Sequence, residues 1–146
     1  MAKTKFDSKQ QEMIQRQASA YFAKAAGRSL WTRLQQMRSG RSTLPALNAV
    51  PSSGNVTVEE TMVNVNDIVG SLNPGRAQDF DADFRPRTRH TQERWLAVAT
   101  ILLSGRSLPP VELVKTSSGY YISDGHHRVS VCKAIGREQI QAVVVG

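Results

Sequence analysis

The residue types and spacing most suited to chemistry lie in one run, Ser123-Asp124-Gly125-His126-His127-Arg128. An aspartate, two imidazoles and a guanidinium this close together suit the handling of an anion, phosphate above all. Arg128 offers a planar fork that matches a phosphate in bidentate fashion. His126 and His127 can each donate or accept a hydrogen bond, according to tautomer. Gly125 lets the backbone turn sharply or approach a ligand closely. Asp124 has three open roles: capping a helix, holding a magnesium ion, or fixing a histidine tautomer. The plainer alternative makes Asp124 an N-cap, buries one histidine in the core and leaves Arg128 in a surface ion pair. Two adjacent histidines followed by arginine at a helix start are hard to explain by packing, and they favour a phosphate site.

The flanking sequence supplies elements to position this run. Tyr120-Tyr121-Ile122 reads as a strand, and residues 126–135 read as a helix with Gly136 at its C′ position. Strand, glycine and helix start together present unpaired backbone N–H groups to an anion. Residues 111–114 form a preceding strand, joined to the next by a hairpin turn over Thr116-Ser117-Ser118-Gly119. The closing strand, residues 141–145, is apolar enough to lie inside a sheet. Thr91 can cap a helix through Trp95, Val98, Ala99, Leu102 and Leu103 that ends at Gly105. Met62-Val63-Asn64-Val65-Asn66 alternates as a half-buried strand does. Residues 70–89 read as one long loop, of the length that tends to be functional or disordered. Asp79, Asp81 and Asp83 alternate within it and would share a side of an extended segment, as a metal site or as a solvated stretch anchored by Phe80 and Phe84. Arg85, Arg87, Arg89 and His90 either pair with those aspartates or add to a phosphate pocket.

The N-terminal third differs in charge. Residues 1–55 hold nine Lys/Arg against Asp7 and Glu12, which gives 9 − 2 = +7, while residues 56–146 hold ten basic and ten acidic residues and sum to zero. Residues 10–37 read as a helix with Phe22, Ala26, Leu30, Leu34 and Met37 on one stripe and Arg16, Lys24, Arg28 and Arg38 mostly off it. Gly27 is a candidate break in that helix and Ser39-Gly40 a candidate stop. Trp31 lies on the far side from the leucines, either to stack on a base or a partner or as a simply exposed or locally packed side chain. Pro45, Pro51 and Ser52-Ser53-Gly54 mark a linker. The expected organisation is a basic amphipathic helical arm over residues 1–44, a linker over 45–61 and a domain over 62–146. A basic arm attracts polyanions, so DNA is a candidate partner. Burying the apolar stripe against a second copy would make the chain a homo-oligomer.

The chain has 146 residues and a mass of 16.1 kDa, of which 40% is hydrophobic and 21% charged, a globular balance with room for one small domain and an appendage. Cys132 is the single cysteine, which excludes an internal disulfide framework and a cysteine-based zinc cluster; inside the motif helix it reads as a buried, inert thiol. The longest apolar run is about half a membrane span, and the first residues lack the apolar segment of a secretory signal. These features lead to the expectation of a soluble cytoplasmic protein with no membrane partner.

The stretch from Tyr120 through Gly125-His126-His127-Arg128 to Val131, followed by Ala134-Ile135-Gly136 and a valine-rich strand, resembles the ParB N-terminal/sulfiredoxin superfamily over residues 62–146. The resemblance implies an α+β fold, a small mixed sheet with packed helices. It also implies a strand-to-helix loop that cradles nucleotide phosphates: CTP in partition ParB proteins, ATP in sulfiredoxins, ADP in a free serine kinase. Carried over residue by residue, Ser123, Gly125, His126, His127 and Arg128 would hold a nucleotide. Asp124, His126 and His127 would be catalytic, and Asp124 would hold Mg2+. The chain departs from each branch. Sulfiredoxins need a cysteine where His126 stands, so their chemistry is rejected. Partition proteins carry Gly-Glu-Arg-Arg at the motif and a helix-turn-helix beyond it. The serine kinase shares Asp-Gly-His-His-Arg, but its catalytic glutamate has no match in Val69-Gly70-Ser71-Leu72-Asn73. The expectation is a nucleotide- or phosphate-binding domain, extending to a phosphotransferase or nucleotide hydrolase. The alternative is a non-enzymatic DNA-binding regulator that uses its basic arm.

Overall fold

A computed structural model describes residues 5–36, 44–47 and 56–146, with side chains described for 8–27, 44–47 and 56–146. The first helix, α1 (Lys5–Gln36), runs without a break through Gly27. The side chains of Leu30, Trp31 and Leu34, and all of Met37 and Ser39-Gly40, lie outside the described residues. Within α1, Ala18, Phe22 and Ala25 are buried and Tyr21 and Ala26 partly so, a stripe at helical spacing.

Five strands form one mixed sheet: β1 (Val58–Asn64), β2 (Ile68–Ser71), β3 (Val111–Thr116), β4 (Gly119–Asp124) and β5 (Gln139–Val145). Their spatial order is β1-β5-β3-β4-β2. β1 and β5 are antiparallel, β5 and β3 parallel, β3 and β4 a hairpin, and β4 and β2 parallel. β5 is therefore interior, with Ile140, Ala142 and Val144 buried, as its apolar density requires. β1 begins four residues earlier than the alternation at Met62 marks, because Val58 to Thr61 continue the ladder with β5. Asn64 then caps a short 3-10 turn, Val65–Asp67, by accepting the N–H of Asn66 at 2.9 Å.

The stretch expected as one long loop, residues 70–89, is loop for most of its length but is interrupted by short elements. It contains the end of β2, a one-turn helix α2 (Pro74–Ala77) and a 3-10 turn, Arg89–Thr91. Asn73 caps α2 by accepting from Arg76 N at 3.1 Å, and Pro74 occupies its first turn. Phe80 and Phe84 are fully buried, so the loop is pinned by apolar anchors. α3 (Gln92–Leu103) follows; Thr91 stands at its N-cap, but its hydroxyl donates to Thr88 O instead of capping. α4 (His126–Ile135) ends with Gly136 at φ 83°, the left-handed residue expected there.

The helices pack in series. Phe22 of α1 meets Trp95 of α3 edge-on at 5.4 Å, and Trp95 Nε1 donates to Ser130 of α4 at 2.8 Å. Val129, Val131 and Cys132 of α4 are buried in the apolar cluster that includes the sheet residues Val111, Leu113 and Ile122. Ala18 and Phe22 of α1 share one apolar cluster with Val111, Leu113 and Ile122 of the sheet. The middle of α1 is thus seated on the domain, while residues 8–17 are exposed except for the half-exposed Ile14. No helix among the described residues is long and apolar enough to cross a membrane.

Candidate functional site

α4 starts at the carboxyl end of β4, and Gly125 makes the corner with φ 110°. A side chain is excluded there by protein atoms: an added Cβ would sit 2.5 Å from Val111 Cγ1 and 2.9 Å from Val111 Cβ. The glycine therefore serves a close approach to β3. No side chain caps α4, and its first backbone bond is Val129 N to Gly125 O at 3.1 Å. The amides of His126, His127 and Arg128 thus have no intrahelical partner, the arrangement that favours negative charge.

The six motif residues separate into two groups. Ser123, Asp124 and Arg128 turn toward β3 and the segment before it. Ser123 Oγ donates to Glu112 O at 3.2 Å. Arg128 Nη1 donates to the carbonyls of Pro109 and Pro110, the latter at 3.0 Å, and Nη2 to Asp124 Oδ2 at 3.1 Å. The Asp124 side chain is 70% exposed, so this ion pair is largely solvated. Arg128, expected on a ligand, ties down the Leu108-Pro109-Pro110 stretch.

His126 and His127 turn inward. His126 Nε2 lies 2.6 Å from Ser71 Oγ, and Ser71 is fully buried and also takes the amide of Asn73 at 2.9 Å. Phe80 stacks on His126 with ring centres 6.2 Å apart and meets His127 edge-on at 5.3 Å. Burial pushes His126 down from 6.5 to about 4, helped by Arg76 and opposed by Asp124. Burial also pushes His127 down to about 4, with Arg94, Arg76 and His126 adding to the shift and Asp79 opposing it. Both imidazoles are neutral at pH 7.

His127 Nε2 is buried and has no hydrogen-bond partner among the described residues. Its ring lines a cleft of about 570 Å³ between α2, the Arg89–Thr91 turn and the first turns of α3, with Arg76, Arg94, Asp79 and His90 around it. His90 Nε2 pairs with Asp79 Oδ1 at 2.9 Å. Arg76 and Arg94 have no carboxylate within 4 Å among the described residues. Ser71, Arg76 and Arg94 were not legible as site residues. Ser71 and Arg76 fall in the stretch read as one long loop, and Arg94 lies in a helix with no sequence neighbour that marks it as part of a site. Only the fold brings them to the motif.

The aspartates of the loop separate rather than share a side. Asp81 is buried; its Oδ1 accepts the amides of Asp83 and Arg85 at 2.9 Å each, and burial raises its pKa. The Asp83 side chain is 64% exposed and pairs with Arg85 Nη1 at 3.3 Å. Arg87 Nη1 donates to Gln78 O. No group of three His, Cys, Asp or Glu among the described residues is placed to hold a metal. Asp124, the residue expected to bind Mg2+, is solvated and tied to Arg128, so the donor set does not build a metal site. Cys132 is buried and its thiol pKa is raised by desolvation, consistent with an inert core residue. No protein-family model matches the sequence, and no curated protein matches it.

Proposed function

We propose that the chain binds the phosphate groups of a nucleotide, of the ATP, ADP or CTP class, in the cleft between α2, α3 and the start of α4. One observation carries the reading: a buried imidazole nitrogen on His127, without a partner among the described residues, stands beside Arg76 and Arg94, which have no carboxylate within 4 Å among those residues, and an uncapped helix N-terminus. A buried polar atom without a partner costs roughly 1–3 kcal/mol, and a ligand oxygen would remove that cost. The helix amides and the Arg76 and Arg94 guanidiniums would supply the charge-assisted contacts. His127, in the tautomer that protonates Nε2, would donate to a phosphate oxygen. His126 acts behind it, locked by Ser71 and stacked on Phe80, and fixes the start of α4. With Nε2 donating to the phosphate and its pKa lowered to about 4, His127 serves to bind rather than to act as a general base, so the reading is of a binding site.

Calorimetry with ATP, ADP and CTP tests this directly. Binding of at least one of them, weakened roughly tenfold or more by Arg94→Gln, is the expected result. Binding of none, or affinity unchanged in Arg94→Gln, rejects it.

The exposure of Lys9 and Arg16 on the projecting part of α1 favours a second, non-enzymatic reading as a DNA-binding regulator. Affinity for duplex DNA would then fall steeply with salt and drop on changing both residues to glutamine. Equal affinity in that variant removes α1 as the contact.

A further inference from the structure

A second cleft, of about 400 Å³, opens on the other side of α4, where α1 crosses the 83–85 loop and the turn after Gly136. Its size is within the range of small-molecule sites. Lys24, Arg85, Lys133 and Arg137 reach it, against the carboxylates of Asp83 and Glu138. Two of the cations are occupied: Arg85 pairs with Asp83 at 3.3 Å, and Arg137 Nη2 donates to Leu102 O at 3.2 Å. The ammonium groups of Lys24 and Lys133 have no carboxylate within 4 Å among the described residues. Lys133 is half-buried, with its Nζ 5.2 Å from the centre of the Phe84 ring, and burial lowers its pKa. Ser130, on the same side of α4, accepts from Trp95 Nε1, which leaves its hydroxyl proton to donate.

The wall that carries Phe84 is strained. Phe84 has φ 61°, a left-handed conformation that is unusual for an aromatic side chain. It is held there by its own complete burial and by the hydrogen bonds that the N–H groups of Asp83 and Arg85, on either side of it, donate to Asp81 Oδ1. Strain of this kind persists where the surroundings over-determine it, often at a ligand site.

We infer that this cleft is a second ligand site, for a small organic or inorganic oxyanion, carboxylate or phosphate, gripped by the Lys24 and Lys133 ammonium groups with the Ser130 hydroxyl at its floor. A single oxyanion would pair both lysines at once and join α1 to α4 through the ligand. This site is independent of the nucleotide cleft, whose cations are Arg76 and Arg94.

The test is a chemical-shift titration of the full chain with succinate and, separately, inorganic phosphate. At least one probe is expected to shift the amides of Ser130, Lys133 and Lys24. Lys24→Gln and Lys133→Met are each expected to weaken that binding roughly tenfold, with Arg94→Gln leaving it unchanged. Response to succinate alone identifies a carboxylate site, and response to phosphate alone a phosphate site. Lys24 is exposed, so its variant keeps the test valid should Lys133→Met unfold. No shift at this cleft with either probe, or equal affinity in the Lys24→Gln variant, overturns the inference.

Discussion

Asp124 and Arg128 stand within four residues of His126 and His127, yet the two pairs belong to different regions of the molecule. The Asp124–Arg128 pair faces β3, is partly solvated, and closes the corner over Pro109 and Pro110. The histidines face the helix layer, are buried, and are held neutral beside Ser71, Phe80 and two arginines. One pair behaves as a clasp; of the other, His126 is held by Ser71 and His127 lines the cleft beside α2 and α3. A helix turns about 100° per residue, so neighbours at its start need not share a surface. A motif that looks like a single cluster in the sequence is thereby distributed between architecture and chemistry.

The largest expected effect comes from the residue between the two pairs. Gly125→Val would place a branched side chain at φ 110° and within 2.5 Å of Val111 Cγ1, costing about 3–5 kcal/mol. Urea denaturation measures it. A variant that keeps its midpoint and loses only nucleotide binding would move Gly125 from the clasp to the site.

The next effect belongs to the histidines. Both have folded values lowered from 6.5 to about 4, so folding favours their neutral forms. Their stabilisation is full above pH 6.5 and is lost as pH falls toward 4, on the order of 3 kcal/mol for one histidine. Denaturation midpoints at pH 7, 5.5 and 4.5 should therefore decline, and His127→Phe should flatten the decline. A midpoint independent of pH across that window would mean that neither imidazole is buried as described.

Arginine substitutions give the sharpest separation. Arg128→Met removes bonds to two carbonyls and a carboxylate, with an expected loss of about 1.5–3 kcal/mol in stability and little change in nucleotide affinity. Arg94→Gln should do the reverse: unchanged stability within about 0.5 kcal/mol, and affinity lower by roughly tenfold or more. Opposite outcomes for the two variants would exchange their roles. Asp124→Asn is expected to have the smallest effect, under about 1 kcal/mol, because the Asp124 carboxylate is 70% exposed and keeps its water. A larger loss in a thermal melt would show that the Asp124 charge does more than screen Arg128.

Most of the fold was legible because its signals are local. The apolar run of β5, the hairpin at Ser117-Ser118 and Gly136 at the end of α4 each follow from a few adjacent residues. The short elements within the 70–89 stretch were not legible, since α2 is a single turn capped by Asn73 and the rest is held by Phe80 and Phe84 in a core assembled from distant strands. The start of β1 was missed for the same reason: exposed Val58, Glu59 and Glu60 are strand only because β5 supplies their hydrogen bonds.

By itself the sequence determined the order of α1, β1, α3, β3, β4, α4 and β5, but not β2 or α2, together with the glycine corner ahead of α4 and the gathering of excess positive charge in the first 55 residues. These depend on backbone conformation and composition, which neighbouring residues dictate. Only the tertiary structure decided that Ser71 meets His126, that Arg76 and Arg94 flank His127, and that Arg128 clasps the prolines. Those pairings join residues up to 55 positions apart. They are set by strand order and helix rotation, which burial of the apolar faces fixes and which no local pattern of polar residues encodes.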